Sequence, residues 1–453
     1  MSTRADKREK LSPMARRALG AGIVGTLIEW YDYGLYGAAS ALILPKLFFP
    51  SSDPETATLA AFATFAVGFF ARPVGGLLIA NFGDRYGRKP VLVATLILMG
   101  LATTLMGLLP TFERAGHWAI VLLVILRMLQ GAGAGAELAG AMTLVAEYAP
   151  PSRRAFVTAI PNGAASGGAL LSTLAFLAVA SMPEQTLLSW GWRVPFLLSA
   201  ILFLVALFIR HRIEESPEFA RAHQAAIERN AKSRVPLFEL VKSKPRTIVL
   251  GMLSGTALNV VFYVLVAFSM SYMTTRLGIS RSDSLVAMAV TTLVGFASAP
   301  IMGNIADHIG PGNSYRIGAF MLVVAGFPLL IAMQSANLLI ITSAMALCAF
   351  FVYGPIIAGQ GAFLSNLFPT ELRFTGIAVT REFNSIFVAG PTPFIAAYLV
   401  QVQNGKPWLV STYMCVGGLI SVISISLLMR DARHTSALSQ KQKAKAEFQS
   451  TNR

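Results

Sequence analysis

Two acidic residues, Glu29 and Asp32, interrupt an otherwise apolar run at residues 18–45. The run is long enough to cross a bilayer as one helix. At a rise of about 1.5 Å per residue, Glu29 lies roughly 16 Å along that helix, near the middle of a hydrocarbon core about 30 Å thick. A carboxylate at that depth costs on the order of 3 kcal/mol unless it is paired, protonated or hydrated. We therefore predict that these acids bind a transported proton. The alternative is that they only pair with basic residues and hold helices together.

The same run carries small and polar residues on a single helical stripe, because they recur every three or four positions. Small residues allow close helix approach, while acids and phenols supply hydrogen-bonding groups. Such a stripe faces protein or a water-filled cavity, so we expect it to line a transport path. Tyr33 and Tyr36 are then candidates for substrate binding, and packing is their alternative role. The stripe consists of Gly22, Gly25, Glu29, Asp32, Tyr33 and Tyr36.

Arg127 lies near the middle of a second apolar run, at residues 117–146. Its planar guanidinium suits bidentate binding of a carboxylate, so we predict that it contacts an anionic substrate. The alternative is that it pairs with Glu29 or Asp32. Glu137, about 15 Å farther along the same helix, is either a further proton-coupling residue or a structural partner.

Further polar residues fall in the other apolar runs. Arg72 is expected to have a structural role near the cytoplasmic end of its run. Arg381 and Glu382 form either a second substrate-binding point or a gate pair, and Asn162 and Asn384 are additional pocket candidates. The apolar runs contain four acids and three arginines. If every arginine pairs with one acid, one carboxylate has no basic partner and is available to carry a proton.

Twelve apolar runs of helical length predict an all-α polytopic membrane protein. The chain has 453 residues, of which 55% are hydrophobic and only 13% charged, which excludes a soluble globular class. The runs are 18–45, 56–80, 90–110, 117–146, 154–181, 190–210, 247–274, 284–306, 314–333, 337–367, 374–400 and 408–429.

The basic residues predict the orientation of the chain. If both termini are on one side of the membrane, that side collects 28 Lys and Arg and the other side six. This asymmetry predicts cytoplasmic termini and explains the net charge of +15 without a nucleic-acid partner. Cys348 and Cys415 lie in apolar runs without metal-ligand spacing, so we expect two free buried thiols.

The chain divides into two halves that repeat one another. GDRYGRK at 83–89 corresponds to IADHIG at 305–310, and PPSRRAF at 150–156 corresponds to PTELRFTG at 369–376. Such a duplication predicts two six-helix bundles with a substrate site between them near the midplane. The expected parts are a disordered cytoplasmic tail, two bundles separated by a cytoplasmic loop, and a second disordered tail, at 1–17, 18–210, 211–246, 247–430 and 431–453.

The stretch ANFGDRYGRKP at 80–90 resembles the hallmark loop of the major facilitator superfamily. This resemblance implies gating roles for Asp84, Arg85 and Arg88, with Asp307 as the counterpart in the second half; a turn that sets topology is the alternative. EWYDY, FFARPVGG, RMLQGAGAGAE, LSWGWRVPF and EESPEF are together similar to the metabolite:proton symporter family. In place of the usual tryptophan of the span-four motif the chain has Leu138, which leaves the substrate open.

The resemblance implies uptake of a small organic acid, such as shikimate or a di- or tricarboxylate, driven by a proton gradient. It also implies a monomer in a bacterial inner membrane, with no cofactor and no metal. The chain has no Gly-x4-Gly-Lys-Ser/Thr motif and no convincing catalytic dyad, so we expect neither ATP-driven transport nor an enzyme. The alternatives are uptake of a zwitterion such as proline or betaine, export or exchange, and a receptor with a transporter fold but no flux.

Overall fold

The computed structural model describes residues 13–50, 53–86, 88–135, 145–146, 149–211, 242–369 and 372–451. Within these ranges the regular secondary structure is entirely helical, and twelve long helices follow one another along the chain. They are α1 (Pro13–Leu42), α2 (Pro54–Tyr86), α3 (Arg88–Met106), α4 (His117–Ala134), α5 (Arg154–Ala180), α6 (Arg193–His211), α7 (Pro245–Thr275), α8 (Arg281–Ile309), α9 (Pro311–Gln334), α10 (Leu338–Leu367), α11 (Arg373–Val402) and α12 (Trp408–Thr451).

The helices have the length and apolarity of membrane spans. In the described ranges, ten are long and apolar enough to cross a membrane, and Val93–Met106 of α3 is a shorter apolar stretch. The remaining helix, α1, contains Glu29 and Asp32 within its apolar length. The prediction of a twelve-helix polytopic membrane protein is confirmed.

Glycines set the closest helix crossing in the first half, where α2 packs against α4. A Cβ atom on Gly131 would overlap the carbonyl oxygen of Gly68, and one on Gly135 would overlap that of Arg72. Gly75 is restricted in the same way by Ala132. Only glycine permits this approach, and it brings the polar residues of α2 and α4 into one layer.

The two halves contact one another along several helices. α5 packs along α8 and α10, α2 along α11, and α1 against the middle of α7. This middle part of α7 is a π-helical segment, Val264–Phe268, and similar segments interrupt α10 at Ala349–Tyr353 and α11 at Ser385–Ala389. Irregular turns of this kind are frequent at functional sites.

Several predicted boundaries differ from the structure. α1 begins at Pro13, inside the predicted N-terminal tail, and α12 continues to Thr451, so the expectation of a disordered C-terminal tail is wrong over the helical part. α4 ends at Ala134, and residues 136–144, including Glu137 and Leu138, lie outside the described residues. The predicted central loop at 211–246 also lies largely outside them. Both thiols are free, with Cys348 buried and Cys415 only half-buried.

Candidate functional site

Arg127 of α4 is fully buried among aromatic rings of the first half. Its guanidinium carbon lies 4.3 Å from the ring centre of Tyr36, 4.8 Å from that of Tyr33 and 4.9 Å from that of Phe65. Phe69 completes the enclosure at 5.9 Å. Ring faces attract a cation electrostatically, more strongly where water is excluded, so these four rings stabilise a charge that would otherwise be costly to bury.

The hydrogen bonds of Arg127 leave part of its guanidinium unused. Nη1 donates to Gln130 Oε1, and Nη2 donates to the carbonyl oxygen of Phe65 at 3.3 Å, whereas Nε has no acceptor. Gln130 in turn donates to Thr103 at 2.7 Å. Within the described ranges no carboxylate lies within 4.0 Å of Arg127. Arg127 therefore forms no ion pair with Glu29 or Asp32 in this arrangement, and its two predicted roles stay predictions.

Arg72 of α2, and not Arg127, forms the central ion pairs. Its Nε and Nη2 donate to Glu382 of α11 at 2.7 and 3.2 Å, and Nη2 lies 3.1 Å from Glu29 Oε1. All three side chains are almost completely buried. Arg72 was expected to have a structural role near the cytoplasmic end of its helix. Its contacts show that it also joins the two halves of the protein.

Asp32 lies on the side of α1 that faces the interior of the first half. Its Oδ1 accepts a hydrogen bond from Ser199 of α6 at 2.6 Å, and its Oδ2 has no hydrogen-bond partner. Thr103 also lies near this carboxyl group, and Thr103 accepts the hydrogen bond from Gln130. A short polar chain therefore leads from Arg127 towards Asp32 through Gln130 and Thr103.

The interface between the halves continues the aromatic enclosure. Trp30 of α1 stacks on Tyr263 of α7 with ring centres 6.4 Å apart and packs edge-on against Phe262 at 4.9 Å. Tyr263 also contacts Phe65 and Phe69, each at 5.6 Å. Aromatic rings from both halves therefore pack together at the centre of the molecule, next to Arg127.

A second group of polar residues involves both halves, since Asn162 belongs to α5 and Arg381 and Asn384 to α11. Arg381 Nη1 donates to Gln360 at 2.8 Å, and Asn162 donates to the carbonyl oxygen of Ile357 at 3.0 Å. Asn384 donates to the carbonyl oxygen of Met252 and accepts from Asn259. None of the contacts among these described residues reaches Arg127. None of these hydrogen bonds joins Arg381, Asn162 or Asn384 to Arg127, and their roles in substrate binding stay predictions.

The ends of the two halves are also joined. At one end Asp307 of α8 accepts hydrogen bonds from the backbone N–H groups of Ala155 at 2.7 Å and Phe156 at 3.1 Å, where α5 begins. A carboxylate at a helix N-terminus is stabilised by the helix dipole. Arg154 donates to Asn366 beside it. The predicted gating residue Asp307 thus lies on a contact between the halves.

At the opposite end Glu55 of α2 forms an ion pair at 2.5 Å with Arg276, which directly follows α7. This pair borders a cleft of about 170 Å³ between the halves, which Tyr272 and Gln401 also line. Next to it, hydrogen bonds from the Thr56 side chain and backbone hold the pKa of Asp53 below its usual range. Contacts between the two halves are therefore present at both ends and at the centre of the described part of the chain.

The other predicted gating residues lie at helix ends where the structure describes the backbone but not the side chains. Asp84 and Arg85 fall in the last turn of α2, and Arg88 begins α3. Several residues at this site were not predicted from the sequence, namely Trp30, Thr103, Gln130, Ser199 and Tyr263. Gln130 could have been found because it lies one turn after Arg127 on the same face, and Trp30 because it is part of the EWYDY motif. Thr103, Ser199 and Tyr263 are uncharged residues in apolar runs with no distinguishing signal.

Residues 18–391 match the Major Facilitator Superfamily. The chain is 36% identical over 439 residues to the shikimate transporter of Escherichia coli (strain K12), covering 96% of this chain and 98% of that protein. It is 31% identical over 438 residues to the proline/betaine transporter of the same organism, covering 92% and 86%. Its fold is similar to that of a D-xylose–proton symporter, with a TM-score of 0.68, 20% identity and coverage of 90% and 97%.

Proposed function

Because the chain belongs to the major facilitator superfamily of membrane transporters, we propose that it is a proton-coupled symporter that takes up a small organic acid. Arg127 is the observation that carries this proposal. It is a fully buried cation with an unused Nε donor and, in the described part of the chain, no carboxylate within ion-pair distance. A buried charge of this kind is costly unless an anion joins it, so a substrate carboxylate completes the site.

Asp32 supplies the proton site in this proposal, with Glu29 as the second candidate. A carboxyl group buried at mid-membrane and held by Ser199 favours its neutral form over an isolated charge. When Asp32 is ionised, its charge attracts Arg127 and competes with the substrate. When Asp32 is protonated, Arg127 is left for the substrate carboxylate, so proton and substrate bind together.

Alternating access follows from the contacts between the halves. The Glu55–Arg276 pair closes one end, Asp307 at the start of α5 closes the other, and Arg72–Glu382 holds the centre. Substrate entry requires the first contact to break, and release requires the other two to break. We assign the Asp307 end to the cytoplasm from the distribution of basic residues, with both termini inside and the protein in a bacterial inner membrane.

Purified protein in liposomes tests the proposal. An imposed inward proton gradient drives accumulation of an organic acid if the protein is a symporter, and a proton ionophore abolishes it. Accumulation of proline or betaine in place of acids identifies the zwitterion alternative. Binding without any flux identifies a receptor. The activity per protein mass across a dilution series checks that the transporting unit is a monomer.

A further inference from the structure

Four helices of the first half, α1, α3, α4 and α6, meet at a group of polar side chains near Arg127. Each helix contributes one fully buried side chain, namely Asp32, Thr103, Gln130 and Ser199. A glycine allows the close approach of α4 to α3, because a Cβ atom on Gly133 would lie 2.9 Å from the carbonyl oxygen of Thr95. At this crossing the Gln130 side chain reaches Thr103.

The side-chain amide of Gln130 has only one favourable orientation in this group. Arg127 Nη1 donates to Gln130 Oε1, so the amide oxygen faces the guanidinium and the amide nitrogen faces Thr103. Gln130 Nε2 donates to Thr103 Oγ1 at 2.7 Å. Thr103 therefore accepts a hydrogen bond from the direction of Arg127, and its own hydroxyl hydrogen must be donated elsewhere.

The Thr103 hydroxyl has two acceptors to choose from. One is the carbonyl oxygen of Met99, which lies one turn earlier in α3 and 3.0 Å from Thr103 Oγ1. The other is the carboxyl group of Asp32, which lies beside Thr103. Ser199 donates to Asp32 Oδ1 at 2.6 Å, whereas Asp32 Oδ2 is buried and has no hydrogen-bond partner. A hydroxyl hydrogen rotates without any movement of the heavier atoms, so it can serve either acceptor.

The charged and titratable groups around Asp32 are few in the described part of the chain. Arg127 on α4 is the cation that acts on it, and Tyr31 is a titratable neighbour on α1. Glu29, one turn earlier on α1, is paired with Arg72. The side chains that α3 and α6 place against the carboxyl group contribute hydroxyl groups. A change in the charge of Asp32 is therefore felt chiefly by Arg127.

Resting on the proposed function, we propose that the Thr103 hydroxyl transmits the protonation state of Asp32 to Arg127, with Gln130 as the fixed link. When Asp32 is ionised, the hydroxyl donates to it, and three hydrogen bonds run in one direction from the cation to the anion. Hydrogen bonds aligned in this way strengthen one another, so Arg127 is held on Gln130. When Asp32 is protonated, the hydroxyl donates to Met99 and Arg127 is released to a substrate carboxylate. No proton passes along the chain, so Thr103 and Gln130 are positioning residues.

The test measures the Kd of shikimate by calorimetry at about pH 5 and about pH 9, in the wild type and in two variants. Thr103→Val replaces the hydroxyl with a methyl group of similar size. Gln130→Met removes the amide and interrupts the chain at its other end, which gives an independent reading. In the wild type we expect binding to be weaker by about tenfold or more at the higher pH, because ionised Asp32 holds Arg127. In each variant we expect the difference to fall below about threefold.

The matched control is Thr104→Val, because Thr104 is the next residue of α3 and its hydroxyl donates to the carbonyl oxygen of Gly100 at 2.8 Å. It should keep the wild-type ratio of the two Kd values. Thr103→Ser retains a hydroxyl at the same position and should keep that ratio as well. A merely structural role of Thr103 would change the melting temperature, or both Kd values equally, and leave their ratio unaltered.

The outcomes separate this inference from the proposed function. If Thr103→Val or Gln130→Met keeps the wild-type ratio, Asp32 acts on Arg127 without the chain, and the inference is wrong while proton-coupled transport stands. If Thr103→Ser loses the ratio as Thr103→Val does, the effect does not depend on the hydroxyl and the inference is also wrong. If shikimate does not bind the wild type, or binds with a Kd that is independent of pH, the proposed function fails for this acid and the inference fails with it.

Discussion

Replacing Arg127 with lysine separates the charge of the central cation from its shape. Lysine keeps the positive charge among the four rings but has no planar fork, so it cannot donate two parallel hydrogen bonds to a carboxylate. The hydrogen bond to Gln130 Oε1 and the Nε donor are lost as well. A hydrogen bond to a charged group contributes about 1.5–3 kcal/mol. Losing one such bond to the substrate weakens binding by at least tenfold, since each factor of ten is about 1.4 kcal/mol.

The measurement is the Kd of the substrate by calorimetry in detergent, together with the melting temperature of each variant. Arg193→Lys is the matched control, because Arg193 donates to the carbonyl oxygens of Gly107 and Leu109, away from the central cluster, at 2.7 and 2.8 Å. It should leave Kd unchanged. An unaltered Kd in Arg127→Lys protein that melts like the wild type would refute the carboxylate-binding role and leave Arg127 as a structural residue.

Four further predictions concern the proton site, the contact between the halves, the helix crossing and the topology. Asp32→Asn is expected to abolish uptake driven by a pH gradient while substrate exchange persists, because a neutral side chain mimics the protonated state; continued accumulation in proteoliposomes would place the proton site elsewhere. Asp307→Asn weakens the charged contact with the start of α5, so it should slow transport in a flux assay with little change in Kd. Gly131→Leu should prevent the α2–α4 crossing and yield aggregated protein in size-exclusion chromatography, whereas Gly20→Leu, with open space around it, should not. Reporter fusions at residues 86, 225 and 440 should be cytoplasmic and one at 184 should be periplasmic; a periplasmic report from 225 would contradict the twelve-span topology.

Periodicity and composition were enough to predict the membrane-spanning architecture. Apolar runs of helical length are a local property of the chain, and each must satisfy its backbone hydrogen bonds within its own segment. Helical periodicity likewise placed Glu29 and Asp32 on one buried stripe of a helix, and the apolar run around Arg127 indicated a buried guanidinium group. The helix ends were less predictable, because α12 continues as a helix through a polar basic segment that has no apolar signal.

Tertiary structure alone decided which charges meet. From the sequence, the acids and arginines in the apolar runs could only be counted against one another. In the structure Arg72 contacts both Glu29 and Glu382, and Glu382 is 310 residues away from it in the chain. That choice depends on how far each helix is rotated about its axis and on the glycines that let α2 approach α4, neither of which periodicity specifies. The tertiary structure also brings together Trp30 and Tyr263, two uncharged residues in separate apolar runs, which stack across the interface beside Arg127. Long-range contacts of this kind are fixed by the packing of whole helices, so the chain determined which residues were buried and the fold determined which of them became partners.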